Sequence, residues 1–212
     1  MTNQPGEKFI YLIRHGETDF NKKGYLQGSS IDASLNEKGR IQAEHFYHKY
    51  KNVSFDKIYT SVLKRSIESV QMFINQGIPH ESFAELNEIN WGEMEGKLLT
   101  PAAWIKLRRI ARRWGQGYTN EKIRMGESPE DVARRQRKVL ELILSRQSER
   151  NILICMHGRA LRIFICLLMN LPISEMDKFP HSNLGLYLMK YDYQLKKAEI
   201  LIRNEHHHEK SS

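Results

Sequence analysis

Two apolar runs in the chain end in the same way. Phe9-Ile10-Tyr11-Leu12-Ile13 stops at Arg14-His15-Gly16-Glu17, and Ile152-Leu153-Ile154-Cys155-Met156 stops at His157-Gly158-Arg159. Unbroken apolar runs of this length read as strands buried on both faces. Such strands carry their terminal polar groups to the rim of a sheet, and in open α/β sheets that rim is where ligands bind. Gly16 allows a sharp turn and a close backbone approach to a bound group. With both strands parallel in one sheet, His15 and His157 emerge at the same edge.

Elsewhere the apolar period is that of helices. Asn36 caps an expected helix over 37–50, with Ile41, Phe46, Tyr47 and Tyr50 inward. A short strand is expected over 55–60, ending at Ser61. One helix follows, with Ile67, Val70, Phe73 and Ile74 on one face and Arg65 in its first turn. An arginine gains nothing from the helix dipole at that end. It is either a surface charge or a partner of the free backbone N–H groups in holding one anion. Thr100-Pro101 opens a helix whose one stripe is Trp104, Leu107, Ala111 and Trp114. The other stripe is Lys106, Arg109, Arg112 and Arg113, with Arg108 at its edge. That basic stripe is either a solvated face or an electropositive cover attracting charged phosphates. Ser128-Pro129-Glu130-Asp131 starts a helix reaching about residue 147, another covers 160–169, and 184–192 with 195–203 alternate as an edge hairpin. Residues 19–34 and 81–96 read as loops, and in the second of these Glu85, Glu93 and Glu95 read as solvated or structural.

The expected fold class is therefore α/β: a three-layer α/β/α arrangement, a mainly parallel sheet with helices on both faces and a C-terminal edge hairpin. Residues 1–203 form a single domain, and 204–212 are expected to be a disordered tail. A hydrophobic fraction of 40% suits a folded globular chain, and no apolar run is long enough to span a bilayer. The polar start of the chain makes the cytoplasm the default compartment. Cys155 and Cys166 sit in apolar stretches and read as reduced core residues. The net charge of +8 fits small acidic substrates such as phosphate esters. It would fit nucleic acid equally well, but the basic stripe speaks against that partner, because no aromatic residues interleave its exposed arginines. His206-His207-His208 is not expected to be a functional metal site. Assembly as a homodimer is left open.

Further motifs join the two histidine strands. Arg14-His15-Gly16-Glu17-Thr18 is followed by Asn21, Leu26-Gln27-Gly28, Asp32, Leu35, Gly39 and Gln42-Ala43. Then come Ser61 with Arg65-Ser66, Glu88 with Trp91-Gly92-Glu93-Met94-Glu95-Gly96, Gly126-Glu127-Ser128, Met156-His157-Gly158 and His181-Ser182-Asn183. In this order the motifs resemble the histidine phosphatase superfamily, the phosphoglycerate mutase-like proteins, over residues 9 to about 191.

The chemistry such residues can do is phosphoryl transfer. A neutral imidazole is a good nucleophile near pH 7 and can form a phosphohistidine. Arginine forks hold the equatorial oxygens, and a second, protonated histidine donates to a further oxygen. A carboxylic acid protonates the leaving oxygen, then activates water. The resemblance implies His15 as nucleophile, Arg14, Arg65 and His157 as the phosphate pocket, and Glu88 as acid and base. It places Asn21, Gln27, Gly28 and Gly158 near the substrate, with Glu17 orienting the site. Arg162 is either a pocket residue or a structural anchor. No metal and no cofactor is implied. Tyr25 stands where many phosphatase members carry an arginine, and Ser34 where a proline is common.

Three functions compete at this stage. The first is a metal-independent phosphomonoester hydrolase acting on a small phosphorylated metabolite. The second is a 2,3-bisphosphoglycerate-dependent phosphoglycerate mutase, and the third a non-catalytic phosphate-binding scaffold. The scaffold is disfavoured because His15 and Glu88 are both present. Mutase members are longer, with inserted segments over the pocket, and this chain has few residues to spare for a lid; that favours the phosphatase branch.

Overall fold

The computed structural model describes residues 6–206. In chain order its elements are β1 (Glu7–Arg14), α1 (Asp19–Lys22), α2 (Glu37–Tyr50), β2 (Lys57–Thr60), α3 (Lys64–Glu68), α4 (Gln71–Asn75) and β3 (His80–Ser82). They continue with α5 (Pro101–Gly115), α6 (Pro129–Ser145), β4 (Asn151–Met156), α7 (Gly158–Leu168), β5 (Leu186–Asp192) and β6 (Lys197–Glu205). The strand order is β3-β2-β4-β1-β5-β6. The first four strands are parallel, β5 runs antiparallel to β1, and β6 closes the edge as an antiparallel hairpin partner. Among the described residues no helix is long and apolar enough to cross a membrane.

The unbroken apolar runs are shared between two cores by the strand's period of two. Ile10 and Leu12 of β1, with Ile152, Ile154 and Met156 of β4, enter the core under α6 and α7. Phe9 and Ile13, with Leu153 and Cys155, enter the other, under α2 and α4. The result is the three-layer α/β/α arrangement. Helix starts follow local chemistry: Asn36 accepts from the Gly39 N–H, Thr100 from Ala103 with Pro101 behind it, and Ser128 forms a capping box with Asp131.

Several boundaries differ from the sequence reading. The single helix expected after Ser61 is broken into α3 and α4. Ser69 Oγ donates to the Arg65 carbonyl at 2.6 Å, and this side-chain bond competes with the helix ladder where the break falls. Residues 81–96 are not all loop: β3 pairs with β2, and short 3-10 turns cover Ala84–Leu86 and Gly92–Met94. Three polar residues on a half-exposed edge carry no apolar alternation to read. Ile41 faces solvent, and Gln42 and Ala43 are buried in its place. β6 runs on to Glu205, which accepts from Lys49 and Tyr50 of α2, so residues 204 and 205 belong to the sheet and not to a tail. The rest of the expected tail, with His207 and His208, lies outside the described residues, as do residues 1–5.

Lys8 links the first strand to α6. It is fully buried, and its Nζ donates to the carbonyls of Ile143 and Arg146 at 2.9 and 3.0 Å. Those carbonyls lie at the end of α6, where no helical N–H remains for them. Burial pushes the amine down to about 8, against the pull of Glu149 and Asp56. Lys8→Met therefore orphans the carbonyls and is expected to cost about 1–3 kcal/mol. Its pH dependence has a definite sign. From about pH 8 to 10.5 the unfolded chain keeps a proton that the folded one has lost, so stability gained through Lys8 rises with pH. Denaturant titrations of both proteins from pH 7.5 to 10 should show the gap widening; parallel curves would place Lys8 at an ordinary pKa.

Candidate active site

The register of β1 and β4 puts Arg14 opposite Met156, so the residues that follow both strands meet. The His15 amide donates to the Met156 carbonyl at 3.0 Å, and the rings of His15 and His157 are 5.1 Å apart. Both side chains are buried. The turn after His15 is pinned from three sides: Gly16 N–H donates to Ser69 Oγ, Asn183 donates to the His15 carbonyl, and Leu184 N–H to that of Arg14. A Cβ on Gly16 would lie 2.7 Å from the Gly39 carbonyl oxygen, which is why the turn needs glycine.

The protonation of His15 follows from one hydrogen bond. Its Nδ1 lies 2.7 Å from the Gly16 carbonyl oxygen, which can only accept. The proton is therefore on Nδ1, and Nε2 carries a free lone pair. Burial first, then the charges of Arg65 and Arg14, hold this imidazole well below its ordinary pKa. His15 is thus neutral near pH 7, the form a nucleophile needs.

Arg65, in the first turn of α3, is completely buried without an ion-paired carboxylate. It donates to the carbonyls of Ile31 and Gly28 and, through Nε, to His157 Nδ1 at 3.2 Å. Burial lowers its pKa to about 10, so it stays charged. Because His157 Nδ1 accepts, the ring's proton sits on Nε2 and donates to Ser61 Oγ at 2.7 Å. Burial, Arg65 and His15 push His157 well below the usual value. The second histidine is therefore neutral, and the expectation of a protonated one is corrected. With Arg65 against the ring and no carboxylate bonded to it, the environment favours the uncharged form.

Glu88 reaches the same place from its turn before Ile89. It is 7% exposed, and its carboxylate accepts from three backbone N–H groups: Ile89, Arg159 and Ala160. Two of these belong to the first turn of α7, so Glu88 sits on the positive end of the helix that starts straight after His157. Glu85, three residues earlier in the chain, does not line the cavity.

That cavity measures about 700 Å³ and is lined by Arg14, Asn21, Gln27, Glu88, Gly158 and Arg162, all expected near the substrate. His15, His157 and Arg65 are buried and do not line it; His15 and His157 adjoin it in the chain through Arg14 and Gly158, and Arg65 is bonded to His157. Gly28 does not line it: the Gly28 carbonyl holds Arg65, and a Cβ there would meet the Glu95 carboxylate at 2.0 Å. Gly158 is required by the His181 ring, 2.7 Å from where a Cβ would stand. Glu17 accepts from Asn36 and Lys38, bracing the loop at the cavity's side.

Three buried N–H donors on the cavity wall have no hydrogen-bond partner among the described residues: Arg14 Nε, Gln27 Nε2 and Arg162 Nε. Leaving a buried donor unmade costs about 1–3 kcal/mol. Three together at one cavity describe a site built for an acceptor-rich anion.

Two other lining residues, His181 and Asp177, were given no role by the sequence reading. His181 accepts from Arg14 at 3.3 Å and is pushed down to about 2 by burial and by Arg14, Arg162 and Arg159, so it stays neutral. Asp177 pairs with both Arg159 and Arg162. On α5 the basic stripe is not the cavity's cover. Lys106 is tied to Glu93 and Arg113 to Glu121, while Trp104, Leu107, Arg108 and Ala111 line the cavity. Four residues of α5 thus form part of the cavity wall.

The geometry agrees with the proteins this chain is similar to. It is 31% identical over 186 residues to the 2,3-bisphosphoglycerate-dependent phosphoglycerate mutase of Cytophaga hutchinsonii, covering 83% of each chain. It is 29% identical over 187 residues to the Gallus gallus 6-phosphofructo-2-kinase/fructose-2,6-bisphosphatase, covering 84% of this chain and 36% of that one. The fold matches the crystal structure of the alpha-ribazole phosphatase from Shigella flexneri, with a TM-score of 0.80 at 24% identity over 93% of this chain and 96% of that one. Residues 10–202 match the family described as the histidine phosphatase superfamily, branch 1, and the chain belongs to it.

Proposed function

We propose that the protein is a phosphomonoester hydrolase that works through a phosphohistidine on a small phosphorylated metabolite, without a metal ion. The observation that carries this reading is a neutral His15, its Nδ1 proton committed to the Gly16 carbonyl, next in the chain to Arg14, whose unpartnered Nε lies on the cavity wall with Gln27 Nε2 and Arg162 Nε. In the first step His15 Nε2 attacks phosphorus in line. The N–P bond forms, the P–O bond to the alcohol breaks, and Glu88 as an acid gives the leaving oxygen its proton. Arg14 holds the phosphoryl oxygens, and Arg65 adds its positive charge from the buried layer behind, with His157 fixed between Arg65 and Ser61. In the second step the Glu88 carboxylate takes a proton from water, whose oxygen attacks phosphorus as the N–P bond breaks. Inorganic phosphate leaves, and His15 and Glu88 return to their starting forms. Asn21, Gln27, Gly158 and Arg162 position the rest of the ester.

The mutase reading keeps one argument, since α5 supplies part of the cavity wall. Against it stands the size of the space. A cavity of about 700 Å³ is in the range that holds drug-sized ligands. A three-carbon phospho-acid leaves room there for the water that a mutase must exclude.

His15→Ala is expected to lower kcat by at least about 10³-fold. A labelled substrate quenched in alkali should leave an acid-labile label on the wild type alone; label on the variant would move the nucleophile elsewhere. Glu88→Gln should lose roughly 10²–10⁴-fold on an alkyl phosphate and far less on p-nitrophenyl phosphate, whose leaving group needs little protonation. Equal losses on the two esters would remove Glu88 from the acid role. Both assays should run unchanged with a chelator. Supplied with 3-phosphoglycerate and catalytic 2,3-bisphosphoglycerate, the protein should release inorganic phosphate; fast formation of 2-phosphoglycerate with little phosphate released would make it a mutase.

A further inference from the structure

The cavity's lining is of two kinds. Arg14, Glu88, Arg159 and Arg162 are charged. Leu99, Leu107 and Ala111 are apolar and are joined by two large aromatic side chains, Tyr25 and Trp104, whose partial exposure puts them at the mouth. Those two remain 37% and 48% exposed. A tryptophan with half its surface in water at a cavity mouth gains free energy from whatever covers it.

The mouth is also preformed. Tyr25 and Leu98 make an antiparallel bridge, Leu26 N–H donates to the Lys97 carbonyl, and Leu99 N–H donates to that of Gly24. Thr100, next in the chain, caps α5, and Trp104 stands in that helix's first turns. The loop that carries Tyr25 is therefore stapled to the lead-in of the helix that carries Trp104. Tyr25 has an edge contact with Phe20 at 5.8 Å, and the Arg108 guanidinium lies 6.0 Å from the Trp104 ring. Little ordering is left to do when a ligand arrives, and preorganisation of this kind favours affinity.

We infer that this wall is the subsite for the alcohol half of the substrate, and that it selects phosphomonoesters whose alcohol carries a planar aromatic or heteroaromatic ring. The inference rests on the phosphatase reading for the other half of the molecule. A ring covers Tyr25 and Trp104 and leaves Arg108 near its π-face or edge. A sugar phosphate or other polyol would wet the same apolar wall and gain nothing from it.

The test compares 2-phenylethyl phosphate with ethyl phosphate, whose alcohols differ little in acidity, so a difference reports the ring and not the leaving group. The matching phosphonates cannot be hydrolysed and report binding alone. The ring should tighten phosphonate binding in calorimetry at least about tenfold, about 1.4 kcal/mol, and raise kcat/KM for the phosphate by a similar factor. Trp104→Ala and Tyr25→Ala should each cut the phenylethyl-to-ethyl ratio at least about fivefold, and Trp104→Phe and Tyr25→Phe should keep most of it. Equal binding of the two phosphonates, or a ratio unchanged in both alanine variants, would overturn the subsite. Ring-dependent phosphonate binding with no phosphate released from either ester would overturn the hydrolase reading and leave the subsite standing. Release from both esters with no ring preference would do the reverse.

Discussion

The site depends on the register in which β1 pairs with β4. Arg14 opposite Met156 brings His15 and His157 to one rim with their rings 5.1 Å apart. A slip of one residue would turn every side chain of a strand to the other face. Ile10 and Leu12 would leave the core under α6 and α7, and Phe9 and Ile13 would leave the one under α2 and α4. The two cores therefore hold the register, and the register holds the chemistry. The pinning of the turn by Ser69, Asn183 and Leu184 then works on a strand end that is already in place.

A second constraint is how the fold keeps buried positive charge. Arg65 is surrounded by the Ile31 and Gly28 carbonyls and a neutral imidazole. Arg14 leans on a neutral His181. Neutral acceptors satisfy hydrogen bonds without cancelling charge, so the site stays positive. An ion-paired arginine would be cheaper to bury but would leave less attraction for an incoming anion. Burial first and then the same positive charge hold His15 in its neutral form.

Much of this was legible in the chain. The two histidine strands, the Asn36, Thr100 and Ser128 caps and the edge hairpin follow from apolar period and local capping chemistry, which act over a few residues. Arg14, Asn21, Gln27, Glu88 and Gly158 stand around one cavity as the motifs suggested. What was not legible depends on contacts between distant segments. The neutral state of His157 is set by Arg65, 92 residues away. β3 is too short and polar to show a period, and the break between α3 and α4 turns on one serine hydroxyl. Arg108 lay at the edge of a charged stripe. Only the packing of α5 shows that it reaches the cavity and that its neighbours in the stripe do not.

Glu88 ties these threads together. Its carboxylate rests on the Arg159 and Ala160 N–H groups, at the start of the helix that His157 caps. The helix end is thereby held at a fixed distance from the strand that carries the second histidine. Arg159 and Arg162 rise from the same two turns and are gathered by Asp177 into one direction. Glu88, His157, Arg159 and Arg162 are thus all referenced to α7, while Arg14 and His15 are referenced to β1. Because β1 and β4 are hydrogen-bonded neighbours and α7 follows β4 through a single residue, the two halves of the site have almost no freedom to drift apart. The apolar mouth on α5 lies outside this rigid unit, joined to it through the loop of Tyr25. The fold therefore allows the alcohol subsite to be changed by substitution without disturbing the residues that handle phosphorus.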